Sequence, residues 1–300
     1  MQLVFPVNKL SQDPARDPAR WALMPGLCCQ AAGGDPSWAD RLAVAWFLFF
    51  TAAHLFDKVE DQDPAEEGIP EMTPGMTINL ATAMLVAASL SLNQMQLGDR
   101  SQQYTAQIAD DFYRTILTMC NGQHLDLIQG QPSLEQWMQI SAAKSGAFFQ
   151  LACHSGASLA TQDTVRLAGF GEYGFRLGLL LQILDDVGDF HQAANGERPI
   201  LSQDAGRSLA VAYARQVLPA DQQAILSENL ATASQNAASA QQVIDLLKLC
   251  GAGLYLFTEM ERQRGLGIQS LKNAHPGSPA GGILIDLLAD LGSDINQNSL

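Results

Sequence analysis

The chain has 300 residues, 47% of them hydrophobic and 16% charged, with a net charge of −14. That length accommodates one large domain or two ordinary ones, and the apolar share is enough for a sizeable core. The acid excess argues against nucleic acid and anionic membrane surfaces as partners, because their phosphates call for Lys and Arg.

Ala, Leu and Gln dominate and β-branched runs are scarce, so the expected elements are helices, in one domain over 1–300 with frayed ends at about 1–15 and 293–300. Asp17 followed by Pro18 is a helix start, and this first helix is predicted to run to Gly33 and Gly34. Asp35-Pro36 repeats the signal. The second helix, AVAWFLFFTAAHLFDKVED, is predicted to stop near Asp61. Its apolar segment Trp46–His54 is too short for a membrane span, and the first twenty residues hold no long apolar run, so neither stable membrane insertion nor a signal peptide is expected.

Thr73-Pro74 restarts a helix predicted to end at Gly98, and Asp99 opens one predicted to end at Asn121-Gly122. Ser133 with Gln136 reads as a capping box for a helix that carries Lys144 to about Ala160. Thr161 or Asp163 caps a long apolar helix that ends in Asp185, Asp186 and Asp189. Residues 191–207 are predicted to be a loop, followed by about three helices over 208–265, a break at 275–282 and an amphipathic helix over 283–291. Five cysteines, Cys28, Cys29, Cys120, Cys153 and Cys250, form no CxxC pair and point to reduced thiols in a cytoplasm.

The chemistry concentrates at two helix ends. Asp185 and Asp189 are one turn apart and share a face, Asp186 lies about 100° round the axis, and Gln182 sits one turn before Asp185. Acids after two apolar turns are costly unless a cation meets them, and Mg2+ held by one or two carboxylates plus substrate phosphates suits them. The alternative, a solvated acidic helix end, sits badly with those apolar turns. The second helix also ends in acids, Asp57, Glu60 and Asp61, with Asp57 and Asp61 at i and i+4. Two such ends facing across a cavity would hold Mg2+ around a diphosphate. Lys144 on an apolar helix needs an anionic partner, either that diphosphate or an acidic side chain.

With these residues in view, the chain resembles the trans-isoprenyl diphosphate synthases, the polyprenyl synthetase family. Gln182, Asp185, Asp186 and Asp189 match the family's second aspartate-rich motif. Gly122, Gln123 and Asp126 match its Gly-Gln…Asp signature, and Lys144-Ser145-Gly146 its Lys-(Thr/Ser)-Gly signature. The likeness spans roughly Arg20 to Leu271. It implies an all-α, isoprenoid-synthase-type helical bundle around a central cavity, two or three Mg2+ ions, an allylic isoprenyl diphosphate as substrate, and a homodimer, or a heteromer with an active synthase.

The departures from the family pattern are equally specific. The first motif, Asp-Asp-x-x-Asp in the family, is Asp57-Lys58-Val59-Glu60-Asp61. The Arg-Arg-Gly beyond it is Glu66-Glu67-Gly68. The upstream Gly-Lys-Arg-x-Arg-Pro falls near Arg20–Pro25, where Arg20 alone could stand in for a base. The flap lysine is matched loosely by Glu197-Arg198. Between residues 51 and 150 the cations are Lys58, Arg100, Arg114 and Lys144. At an effective dielectric of about 20, each charge pair about 4 Å apart is worth about 4 kcal/mol, and two Glu in place of two Arg reverse its sign. The isopentenyl diphosphate site is therefore expected to be impaired.

Within this reading Lys144, Gln182 and Asp185 are the catalytic candidates, and Asp57, Asp61, Asp185, Asp186 and Asp189 the metal ligands. Phe148, Phe149 and Phe175 would line an apolar cavity and Phe49 would floor the prenyl pocket, with core packing as the plain alternative for each. Gln123 and Asp126 are read as structural. Three functions follow: allylic prenyl transfer, to isopentenyl diphosphate or to another acceptor; a terpene synthase (lyase) or hydrolase acting on an allylic diphosphate; and a silent regulatory subunit that pairs with an active synthase.

Overall fold

Local capping signals set several helix starts. The computed structural model describes residues 21–61, 72–95, 101–194, 205–293 and 295. Helix α1 spans Met24–Ala31. The Asp35 carboxylate accepts the Ser37 N–H at 2.9 Å and starts a short 3-10 turn, Pro36–Ala39, that leads into α2, Asp40–Glu60. Thr73 caps α3, Pro74–Asn93, through the Met76 N–H. After α4, Ser101–Ile128, Ser133 and Gln136 close both bonds of the capping box on α5, Leu134–Ser141. A π-helical turn, Ala142–Gly146, joins α5 to α6, Ala147–Ser158. Asp163 accepts the N–H groups of Val165 and Arg166 at the start of α7, Thr164–Ala194. Then come α8, Leu209–Val217; α9, Ala220–Thr232; α10, Ala237–Leu249; α11, Ala252–Asn273; and α12, Ala280–Asp290. Among the described residues there is no strand.

Several boundaries differ from expectation. Helix α3 stops at Asn93, short of Gly98, which lies outside the described residues with Asp99, as does Asp17-Pro18. Helix α4 runs straight through Asn121-Gly122 to Ile128. Gly122 is a contact and not a stop: a Cβ there would lie 2.8 Å from the Ala143 Cβ. The acids of α7 precede its end, because the helix continues to Ala194, and the expected loop over 191–207 is helical at both margins. Four helices, not about three, follow, the last reaching Asn273.

The chain groups into two compact units. The first takes in residues 1–112, 152–167 and 276–284. Its heart is the α2–α3 pair. Leu42, Ala45, Trp46, Phe49 and Ala52 form one buried stripe, and Thr77, Ala81, Met84, Ala88 and Ser91 the facing one. Small residues at 52, 81 and 88 let the two helices approach closely, with Leu48, Leu55, Phe56, Leu80 and Leu85 packed beside them. By length and composition α2 with its 3-10 turn and α3 could each cross a membrane, a test that core helices of bundles also pass. Helix α1 meets α6 at Gly156, where a Cβ would fall 2.3 Å from the Pro25 carbonyl oxygen. One turn along, the Cys28 and Cys153 thiols lie side by side. Burial, and then Cys153, push the Cys28 thiol well above its ordinary value. All five cysteines are free, with Cys28, Cys29 and Cys153 buried.

The second unit takes in residues 113–151, 168–275 and 285–300. Helix α7 is its axis, with Tyr173, Leu177, Leu180, Ile183 and Val187 buried along it. Helix α11 packs beside it through a polar network. Buried Glu259 accepts two bonds from Arg262 and one from Gln263, and Gln263 in turn accepts from Arg176 at 2.9 Å. Arg264 donates to the Leu288 carbonyl at 3.2 Å and to the Leu291 carbonyl, holding the end of α12. Each buried charge there has its partner, as burial requires.

Candidate active site

Glycines let three segments of the second unit meet. On α7, a Cβ at Gly178 would sit 2.1 Å from the Ser145 carbonyl oxygen, so the helix lies directly on the backbone of the π turn. One turn earlier the Phe175 ring fills the space over Gly146, where a Cβ would be 2.8 Å from the ring. On the other side Gly122 of α4 faces the backbone N of Lys144, 3.2 Å from a Cβ built there. Squeezed between α4 and α7, residues 142–146 adopt the wider turn. Single-turn π bulges of this kind recur at functional sites.

This packing orients the polar side chains. The Lys144 Nζ donates to the Asp126 Oδ2 at 2.7 Å, with the two side chains 19% and 21% exposed. The anion that a lysine on this apolar helix requires is thus in part a neighbouring carboxylate. The Ser145 hydroxyl donates to the Gln182 Oε1 at 3.2 Å. The next turn of α7 carries Asp185 and Asp186, and the one after it Asp189. Asp185 and Asp189 are exposed, on the shared face expected of i and i+4.

Asp186 points elsewhere. Its Oδ2 accepts the N–H of Leu209, the first residue of α8, at 2.6 Å. The residue keeps some surface, but its carboxyl group is enclosed. Burial pushes that carboxyl up to about 8, against the pull of the Leu209 bond, and the charges of Asp185, Asp189 and Asp126 push it further. A cation beside Asp186 would relieve that repulsion.

Among the described residues no three His, Cys, Asp or Glu side chains close into a ready-made metal cluster. Mg2+ does not ask for one: it keeps water and phosphate oxygens and takes one or two carboxylates from the protein. The hard, exposed oxygens of Asp185 and Asp189 suit it.

Lys144, Gln182, Asp185, Asp186 and Asp189 therefore lie together in the second unit, with Asp126 and Ser145 among them. Phe148 and Phe149, in the same unit, are buried in an edge-to-face pair, centroids 5.4 Å apart, as core packing would have them. Phe49, Asp57 and Asp61 belong to the first unit. There Phe49 is buried against Phe112, centroids 5.1 Å apart. Asp57, Glu60 and Asp61 crowd the C-terminal end of α2, where the helix dipole disfavours each acid by about 0.3–1 kcal/mol, and Lys58 offsets part of this. Glu66, Glu67, Arg20 and the flap residues Glu197 and Arg198 lie outside the described residues. Asp126 gains a role that spacing alone did not reveal. Its signal was the requirement that Lys144 meet an anion.

The family model described as polyprenyl synthetase matches residues 22–247. The chain belongs to the polyprenyl synthetase family. It is 26% identical over 160 residues to a geranylgeranyl diphosphate synthase of Mycobacterium tuberculosis, covering 52% of this chain and 46% of the relative. It is 27% identical over 150 residues to the tryptophan prenyltransferase ComQ of Bacillus subtilis subsp. natto, covering 49% and 44%. The chain thus spans less than half the length of these two curated relatives. The crystal structure of a decaprenyl diphosphate synthase from Rhodobacter capsulatus superposes with a TM-score of 0.81 over 96% of this chain and 93% of that one, at 15% identity. That likeness shows the polyprenyl synthetase fold. The Gly-Gln…Asp, Lys-Ser-Gly and second aspartate signatures of the family are the three segments that meet here.

Proposed function

We propose that this protein is a Mg2+-dependent prenyltransferase that ionises an allylic isoprenyl diphosphate and passes the prenyl group to an acceptor other than isopentenyl diphosphate. The observation that carries the proposal is the meeting of Lys144, Asp126, Ser145 and Gln182 beside the exposed pair Asp185 and Asp189. Asp185 and Asp189 would hold the metal, while Asp186, with one oxygen given to Leu209, ties α7 to α8. Asp57 and Asp61 are the second ligand set in this reading, on the strength of their spacing and the family membership. When bound, Mg2+ supplies Lewis-acid chemistry and neutralises the leaving diphosphate. Lys144 adds a fixed charge, and Asp126 keeps it in place. Gln182, whose Oε1 accepts from Ser145, would offer its amide N–H to the diphosphate oxygens.

The choice of acceptor rests on missing cations. Where the family carries bases upstream, this chain has Trp21 and Met24, 1% and 0% exposed, serving as core side chains. With Glu66, Glu67 and Lys58 also at odds with a second diphosphate, a neutral acceptor is the better match. The likeness to a tryptophan prenyltransferase supports the same direction. Helix α3 has no charged residue and exposes Ile78, Val86 and Leu90, which supports pairing with a second copy through that face.

The test is incubation with Mg2+ and allylic diphosphates of two, three and four isoprene units, with and without isopentenyl diphosphate, read by mass spectrometry. Diphosphate release without chain extension is expected. Efficient extension would overturn the acceptor assignment, and no Mg2+-dependent release would leave the silent-subunit reading. Changing Lys58→Asp together with Glu66→Arg and Glu67→Arg is expected to create or raise chain extension, by tenfold or more for about 1.4 kcal/mol of recovered attraction. Extension that stays absent in this triple variant would remove the charge argument.

A further inference from the structure

One polar side chain beside the Lys144–Asp126 pair has no use in the fold. Gln123 is 9% exposed, and among the described residues neither its Nε2 nor its Oε1 has a hydrogen-bond partner. It is bracketed by contacts to Lys144: the preceding Gly122 lies on the Lys144 backbone, and Asp126, one turn later, pairs with the Lys144 ammonium. Buried amides are nearly always paired, and leaving one unpaired costs about 1–3 kcal/mol per group. A position held at that cost beside the reacting charges points to a partner that arrives with the reactants.

The two bare atoms restrict what that partner is. An amide Nε2 donates and its Oε1 accepts, so one occupant serving both must present one acceptor and one donor. An ionised diphosphate presents acceptors only and would be repelled by the Oε1. A prenyl chain presents neither. A hydroxyl presents both.

We propose that Gln123 positions a hydroxyl, from water or from an alcohol acceptor, that captures the allylic cation. This rests on the reading of the site as one that ionises an allylic diphosphate. In the step, the allylic C–O bond breaks and its electron pair leaves on diphosphate. The hydroxyl oxygen then forms the new C–O bond with a lone pair, and its proton passes to the released diphosphate. Water yields a prenyl alcohol and an alcohol acceptor yields an ether, with no change in oxidation state. Gln123 itself neither gains nor loses a proton. Its role is to hold the oxygen on the side of Lys144.

The experiment compares wild type with Gln123→Met, which keeps length and removes both polar atoms. Each is given Mg2+ and an allylic diphosphate in isotopically labelled water, with and without methanol as a competing hydroxyl, against a heat-inactivated blank. Diphosphate release, labelled alcohol, methyl ether and eliminated hydrocarbon are measured. Wild type is expected to give labelled alcohol, and ether when methanol is present. In Gln123→Met the ratio of oxygenated to eliminated product is expected to fall roughly tenfold, the worth of about one lost hydrogen bond. Its melting temperature is expected to rise, and its Mg2+-dependent affinity for a non-ionising thiolodiphosphate analogue to stay within twofold. An unchanged product ratio would overturn the assignment, as would a wild type that releases diphosphate without oxygenated product while the ionisation reading stands. A wild type that releases no diphosphate above the blank would bring down both.

Discussion

Asp185→Ala is expected to abolish product formation, with a loss of about a thousandfold or more, while the protein keeps its helical content and melting temperature. In the proposed function Asp185 holds the metal, and removing such a carboxylate would cost several kcal/mol of transition-state stabilisation, about 4 kcal/mol being three orders of magnitude. Stability is spared because Asp185 is exposed and packs into no core. Its charge also helps push the Asp186 carboxyl upward, so its removal relieves repulsion in the folded state. Steady-state rates of diphosphate release, with circular dichroism on the same samples, decide the matter. A variant within tenfold of wild type would exclude Asp185 from the chemistry.

Gly178→Ala is expected to have the largest effect on folding. The added Cβ would sit 2.1 Å from the Ser145 carbonyl oxygen, 2.5 Å from its carbon and 2.8 Å from the Gly146 nitrogen. All three are backbone atoms of the π turn and cannot swing aside, so α7 or the turn must move. Alanine gains about 1 kcal/mol in helix propensity over glycine, but overpacking costs about 1–3 kcal/mol or more, and backbone clashes of this depth lie beyond the upper end. A net loss above about 2 kcal/mol is expected in urea unfolding, or failure to fold. Gly188→Ala on the same helix is the control. A Cβ there would have nothing within 4 Å among the described residues, so the propensity gain stands alone and stability should rise by up to about 1 kcal/mol. If both variants shift stability alike, α7 does not lie on the turn as described.

The expected effects at Asp185 and Gly178 belong to different levels of legibility. Asp185 could be found by spacing, because i and i+4 on a helix share a face whatever surrounds it. The importance of Gly178 could not. Read along the chain, it is one more glycine before an apolar run, and only the approach of Ser145 distinguishes it from Gly188. Gly122 led to an outright misreading for the same reason. Beside Asn121 it has the local signature of a helix stop, yet α4 continues for six more residues because the absent side chain admits Lys144.

The amino-acid order alone determined that this chain is helical, where Asp35, Thr73 and Ser133 start helical turns, that Thr161 or Asp163 starts the long one, and which acids share a face. Those outcomes depend on hydrogen bonds and periodicities within a few residues, so they are written locally. Tertiary structure decided that Lys144 pairs with Asp126, that Asp186 turns to Leu209 instead of standing with Asp185, that residues 142–146 widen into a π turn, and that the Gln123 amide is left bare. Each of these depends on which backbone approaches which, over separations of 18 to 37 residues in the bonds that define the site. Burial then sets the cost of any unpaired charge or amide, and that cost is invisible until the neighbours are in place.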